Sequence, residues 1–348
     1  MVARDGGSRC GGVGWAPGCA DNSVSAEAWA AYDPGVMMMG KARGWAEGRQ
    51  GVLAGGAAAV TVVLWASAFV AIRHVGHEFS AGALSLGRLL VGSLLLGAMV
   101  FTRPRRWPAK GDWRLLLVCG LLWFGVYNVA LNEAEQRLDA GTAAMLVNIG
   151  PLLIALLAGF LLGEGFPRQL VIGSIAAFGG VVLIGSSSSD GRAETWGVVL
   201  CVAAAVSYAI GVVSQKPLLA RLPALEVTWL ACTIGAISCL PFAPTLISET
   251  ADARPATIWW VVFLGAFPTA LAFTTWAFAL ARTSAGRMGA TTYLVPPLTI
   301  FLGWLLLDES PAPLAFVGGA LCLVGVAISR LKPKRATRPI DEATPALD

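Results

Sequence analysis

The sequence predicts an all-α integral membrane protein: ten transmembrane helices, built as two inverted five-helix repeats around a central cavity. Three observations predict it. The first is the scarcity of charge: the 348 residues are 56% hydrophobic and 13% charged, with a mean hydropathy of +0.69. A soluble domain carries roughly 25% charge, so the bilayer is the better solvent for this chain. The second is the spacing of the charges that remain, which leaves windows of about the ~20 residues a helix needs to cross a ~30 Å hydrocarbon core. The third is a repeat of unusual residues between the two halves.

In chain order, the apolar windows are 50–72, 79–102, 115–132, 140–163, 169–189, 195–215, 227–248, 255–281, 288–307 and 310–329, interrupted only by Arg88 in the second. They are continuous, whereas strands of a membrane barrel would show alternating segments of about ten residues. Residues 103–114 and 216–226 are the longest charged links, too short for a globular domain. No G-x-x-x-x-G-K-[ST] loop occurs, and that loop is what cradles nucleotide phosphates; ATP hydrolysis by this chain is excluded and no ATPase subunit is implied.

Lysine and arginine orient the chain. With the N-terminus inside, the inner links hold Arg103, Arg105, Arg106, Lys110, Arg114, Arg168, Lys216, Arg221, Arg282 and Arg287, and the tail adds Arg330, Lys332, Lys334, Arg335 and Arg338. The outer links hold Arg73, Arg137, Arg192 and Arg254. This positive-inside bias predicts a multi-pass plasma-membrane protein with both termini cytoplasmic. The net charge of +4 calls for no nucleic acid; the basic tail faces anionic lipid headgroups.

Four segments follow: 1–49, 50–189, 190–330 and 331–348. Residues 1–49 are rich in Gly, Ala and Trp with mixed charge and no long apolar run. They read as a disordered cytoplasmic extension, with Met37, Met38 or Met39 as an alternative start. Residues 50–189 and 190–330 are the two repeats, and 331–348 is a basic, then polar, cytoplasmic tail.

At an offset of 145, Arg137, Gly141, Pro151 and Glu164 meet Arg282, Gly286, Pro296 and Glu309; Gly173 and Gly180 meet Gly318 and Gly325. At an offset of 143, Trp65 meets Tyr208 and Arg73 meets Lys216. Five spans per half is an odd number, so the halves take opposite orientations, the design of carriers that alternate access around a site between them. Pro151, Pro296 and Pro297 fall half-way along their spans as helix breaks. Each removes a donor and clashes with the carbonyl four residues back, which frees the carbonyls of Val147, Thr292 and Tyr293 toward protein or a wet cavity. Asn148 and Tyr293 stand one turn before the breaks at equivalent positions.

The segments LWASAFVAIR (64–73), SLGRLL around Arg88 and ALNEAEQRLDAGTAAMLVNIGPLLIALLAGFLLGE (130–164), with its echo over 279–309, resemble the EamA-type repeats of the drug/metabolite transporter superfamily across about residues 51–330. The resemblance implies a ten-helix carrier, often an exporter of amino acids, metabolites or toxic compounds, with a cavity between the halves. Asp308 stands where a glycine usually precedes the second glutamate.

Candidate substrate-binding residues are Trp65, Arg88, Tyr127, Asn148, Tyr208, Trp276 and Tyr293. Arg88 lies near the bilayer centre, where an arginine costs ~2.5–3.5 kcal/mol on the insertion scale. Glu133, Glu135, freed carbonyls or a substrate carboxylate could offset that, or it could tie two helices. The mid-span aromatics suit apolar faces of a medium-sized organic molecule, and equally suit core packing. Glu164 and Glu309, at span ends on opposite faces, are gating candidates as well as markers of helix exit. No carboxylate lies at mid-span, so the coupling ion is open. Gly173, Ala177 and Gly180 in span 5, and Gly318, Cys322 and Gly325 in span 10, read as packing seams between helices or between protomers of a homodimer. His74 and His77 lack a third ligand, so no metal is expected; the cysteines show no framework, and no cofactor is implied. The expected function is a secondary carrier exporting small metabolites, amino acids or drug-like compounds. An intramembrane enzyme or a channel-like pore is the alternative; the first would need a nucleophile, acid or metal cluster, the second a symmetric filter.

Overall fold

A computed structural model describes residues 34–137, 143, 146–188, 195–307 and 313–331, with residues 34–49 described by their backbone. The chain divides into two units, residues 1–49 and 50–348. In the first, the backbone from Pro34 onward is helical, as suits a run of Met, Ala, Lys, Arg and Glu that cost little in a helix; residues 1–33 of the expected extension and 332–348 of the expected tail lie outside the described residues.

The second unit is all-helical among the described residues. Its helices are α1 (Pro34–Val75, which enters the unit at Gln50), α2 (Ala81–Phe101), α3 (Asp112–Glu135), α4 (Gly150–Leu161), α5 (Arg168–Ser188), α6 (Thr195–Leu218), α7 (Ala224–Ser238), α8 (Ala243–Asp252), α9 (Pro255–Leu280), α10 (Ala285–Thr291), α11 (Val295–Leu307) and α12 (Pro313–Arg330). Among the described residues, six helices are long and apolar enough to cross a membrane, or seven if the α7–α8 pair, bent by 51°, is one span. Proline sets that bend: Pro241 sits in a 3-10 turn and Pro244 opens α8, a position where its missing N–H costs nothing.

The helix breaks fall where the prolines foretold, in a different form. Pro151 stands in the first turn of α4, after a turn at residues 148–149. A 3-10 turn, Thr292–Leu294, separates α10 from α11. The two prolines therefore start new helices instead of kinking continuous ones. The carbonyl of Thr292 is not left for the cavity, because the N–H of Val295 takes it in the tighter turn; a 3-10 bond is the local remedy for an orphaned carbonyl.

Two further irregularities match across the halves. Residues Cys119–Val126 of α3 and Gly265–Leu271 of α9 are wide π-helical turns, and adding 145 to the first range gives 264–271. Pro268 sits inside the second. Side chains take the carbonyls such turns expose: Asn128 Nδ2 donates to Phe124 O at 2.8 Å and Trp123 O at 3.3 Å, and Thr269 Oγ1 donates to Leu264 O at 2.8 Å.

The small-residue seams of α5 and α12 meet each other within the chain. A Cβ on Gly173 would come 2.5 Å from the Gly325 carbonyl oxygen, and one on Gly180 would come 2.5 Å from that of Gly318. Backbones this close need glycine, and the seam is filled without a second protomer.

Links between helices gather at two ends. At one end, the N–H of Arg106 donates to Glu226, Arg221 pairs with Asp112 at 2.8 Å, Lys216 donates to the carbonyls of Leu280 and Thr283, and Glu164 meets residues 285–286. At the other end, Arg254 binds Glu78 through its N–H at 2.9 Å and its Nε at 2.6 Å, Ser80 N–H donates to Glu249 and Gln136 reaches the Phe79 carbonyl. Hydrogen bonds to the backbone and guanidinium of Arg254 hold the Glu78 carboxyl below the usual carboxylate range.

Candidate functional site

A cavity opens among α1, α2, α3, α4, α6, α9 and the α10–α11 break. Its wall runs along α1 from Trp65 through Ala68 and Phe69 to Ile72, seven residues or about 10 Å at 1.5 Å per residue.

Aromatic rings close one end. Trp65 stacks on Trp276 with centroids 5.0 Å apart and meets Phe273 edge-on at 5.4 Å. Trp123 lies 5.0 Å from Phe273, 5.4 Å from Tyr208 and 5.7 Å from Trp276. Contacts of this kind are worth about 0.5–1.5 kcal/mol each beyond area burial, so the cluster is a stiff floor. Glycine lets it close: a Cβ on Gly211 would sit 2.4 Å from the Trp123 Cβ, and one on Gly150 would sit 2.7 Å from the Tyr208 ring.

Of the residues singled out from sequence, Trp65, Arg88, Tyr127, Asn148 and Tyr208 line this cavity, as does Pro151. Trp276 lies one layer behind, fully buried and stacked on Trp65, with an indole N–H that has no acceptor among the described residues. Tyr293 is elsewhere: fully buried, it packs with Leu170, Ala177, Ala290, Cys322 and Val326 on the α5–α12 side. In its stead Thr292 and Val295 reach the cavity. The 3-10 turn rotates the chain there by more per residue than an α-helix does, so the residue matching Asn148 faces away. Pro296 and Pro297 do not line the cavity. Glu309 lies outside the described residues.

Arg88 is 5% exposed. Its Nε donates to Thr269 Oγ1 at 3.1 Å, and that hydroxyl in turn donates to the carbonyl exposed by the wide turn of α9. The second half thus orients an arginine of the first. Glu135, the last residue of α3, also lines the cavity, and both of its carboxylate oxygens are buried without a hydrogen-bond partner among the described residues. From sequence it stood at a helix end, as a partner for Arg88 or, like Glu133, as a group for antiport; the cavity extends far enough toward that end to include it.

Glu164 leaves α4 through a turn in which Gly163 and Gly165 adopt φ of 65° and 66°, a region glycine enters without penalty. Its carboxylate then accepts the N–H groups of Ala285 at 2.7 Å and Gly286 at 3.2 Å. A carboxylate at the start of α10 is favoured by the exposed N–H groups there. Through it the loop after α4 is tied to the second half of the chain.

Sequence reasoning missed Phe273 and Asn128, and reached Val147 and Thr292 only through their carbonyls. The signal was in the repeat: Asn128 and Phe273 are 145 apart, as are Val147 and Thr292, and all four line the cavity. Among the described residues no group of three or more His, Cys, Asp or Glu side chains could hold a metal ion.

A multi-pass helical membrane protein whose two halves share the wall of a cavity belongs, by class, with the membrane transporters. Residues 53–186 and 195–331 each match the EamA-like transporter family, and the chain belongs to that family. A probable terminal-alkyne amino-acid exporter of Streptantibioticus cattleyicolor is 38% identical over 267 residues, covering 77% of this chain and 90% of that protein. A probable amino-acid metabolite efflux pump of Escherichia coli K12 is 26% identical over 292 residues, covering 81% and 94%. A solved crystal structure shares the fold, with a TM-score of 0.67 at 22% identity over 80% of this chain and 96% of that one. The protein is a transporter, not an enzyme.

Proposed function

We propose that this protein is a secondary-active carrier of the cell membrane that exports amino acids or closely related small metabolites by alternating access. In this reading, ten spans form two inverted repeats, both termini are cytoplasmic, and the cavity beside Arg88 is the substrate site. One observation carries it: Arg88 of the first half, held by Thr269 of the second, faces a cavity walled by residues of both halves. The matched wide turns in α3 and α9 support the inversion. So does the gathering of residues 103–112 and 216–226 at one end of the bundle, which an odd-numbered repeat requires. The cations of the inner links lie at that end, which makes it the cytoplasmic one. The names of the two relatives support the substrate class.

Arg88 binds the substrate carboxylate, and the rings of Trp65, Tyr127, Tyr208 and Phe273 take its apolar part. Glu164, latched onto α10, closes the cytoplasmic end while the cavity is open to the other. Counterflow in proteoliposomes tests the proposal: vesicles preloaded with an amino acid should transiently accumulate the labelled one, with saturable rates, and Arg88→Ala should abolish this while still inserting. Flux that never saturates and shows no exchange would make the protein a pore and end the carrier reading.

A further inference from the structure

We infer that the cavity carries two charged subsites for one zwitterion: Arg88 for an α-carboxylate and Glu135 for the neighbouring ammonium, which selects α-amino acids over plain acids and plain amines. The inference rests on the cavity being the substrate site and adds to it the ammonium subsite and the selectivity.

Both charged groups line the same cavity, yet they form no ion pair with each other: among the described residues neither Glu135 oxygen has a hydrogen-bond partner. Among the described residues Arg88 donates from Nε alone, to Thr269, which leaves the four N–H groups of its terminal nitrogens, out of the five a guanidinium carries, to a ligand. The cations whose field reaches Glu135 are Arg88 first and then Arg73, without hydrogen-bond contact to it. A buried carboxylate without a partner is costly, and truncating or omitting the partner of a buried charge leaves that cost standing. A plain carboxylate bound at Arg88 would leave Glu135 unpartnered, and a plain amine at Glu135 would leave the guanidinium so. A zwitterion completes both. Trp65, Phe69, Ile72, Leu131 and Phe273 give the wall an apolar part, and Tyr127, Asn128, Asn148, Tyr208 and Thr292 add polar groups to it.

Ligand-induced change in tryptophan fluorescence tests this on the full chain in detergent, since Trp65 lines the cavity. The probes are leucine and phenylalanine, their deaminated forms 4-methylpentanoate and 3-phenylpropanoate, and their decarboxylated forms 3-methylbutylamine and 2-phenylethylamine. The wild type should bind at least one amino acid more than tenfold tighter than its two analogues. Glu135→Gln should weaken the amino acid roughly 10- to 100-fold, the loss of one charged hydrogen bond, to the level of the deaminated form. Arg88→Gln should bring it down to the level of the amine, and Glu135→Asp should recover part of the loss, which a folding defect would not. Unchanged amino-acid affinity in Glu135→Gln overturns the inference, as does equal binding of acid, amine and amino acid by the wild type. If these probes fail to bind while an organic cation undergoes counterflow, the zwitterion site is refuted and the carrier stands; if no solute undergoes counterflow, the carrier reading falls as well.

Discussion

Replacing Glu164 by Gln should loosen the latch between the α4–α5 loop and α10, and so shift the carrier toward opening at that end. The carboxylate accepts two backbone N–H groups, at 2.7 and 3.2 Å. Glutamine keeps one acceptor oxygen, so the change removes one charge-assisted bond, worth about 1.5–3 kcal/mol, and a helix-start charge worth about 0.3–1 kcal/mol. Glu164 is half-buried, and solvent returns part of this, as it does for exposed charges. A net loss of about 1–2 kcal/mol remains, a shift of roughly 5- to 30-fold in the closed-to-open ratio. The assay is electron–electron distance measurement between spin labels at Arg168→Cys and Arg282→Cys, both exposed positions, with Cys10 and Cys19 replaced by serine. The five cysteines among the described residues are free but buried. A longer-distance population should grow in the Gln variant, together with altered counterflow. An identical distance distribution and an unchanged counterflow rate would refute the latch, whatever the variant does to stability.

Trp65→Ala should remove the stack on Trp276 and the edge contact to Phe273, costing about 3–5 kcal/mol of stability and raising the half-saturation of counterflow; a melting curve in detergent and a rate-versus-concentration series measure the two. Gly180→Leu would drive a side chain into the Gly318 carbonyl, 2.5 Å from the Cβ position, and should destabilise by about 1–3 kcal/mol; a melting temperature equal to wild type would contradict the seam. Glu78 titrates below the ordinary carboxylate range because Arg254 binds its ionised form. The stabilisation is therefore complete above the ordinary carboxylate pKa and fades as pH falls through the lowered one. Glu78→Gln should accordingly lower the melting temperature at neutral pH by an amount that vanishes in acid; a difference independent of pH would show that the pair contributes nothing through charge.

The sequence alone determined the solvent, the helices and the repeat. Windows of about 20 residues without charge can satisfy their backbone in hydrocarbon only as helices, and the matched prolines and glycines at an offset of 145 showed that one unit was used twice. Arg88 was legible as a site residue because an arginine there is too costly to be idle. What the tertiary structure decided depends on rotation and depth, which apolar sequence does not encode. Tyr293 reads as the twin of Asn148, but the 3-10 turn at Thr292–Leu294 turns it into the core and brings Thr292 to the cavity. The α5 and α12 seams read equally well as a protomer interface until the two glycine faces met within one chain. Glu135 reads as an interfacial charge at a helix end; only the packing of α1, α2 and α3 shows that the cavity reaches it. In each case the residue type was visible in the chain, and the direction in which it points was set by contacts between helices far apart in sequence.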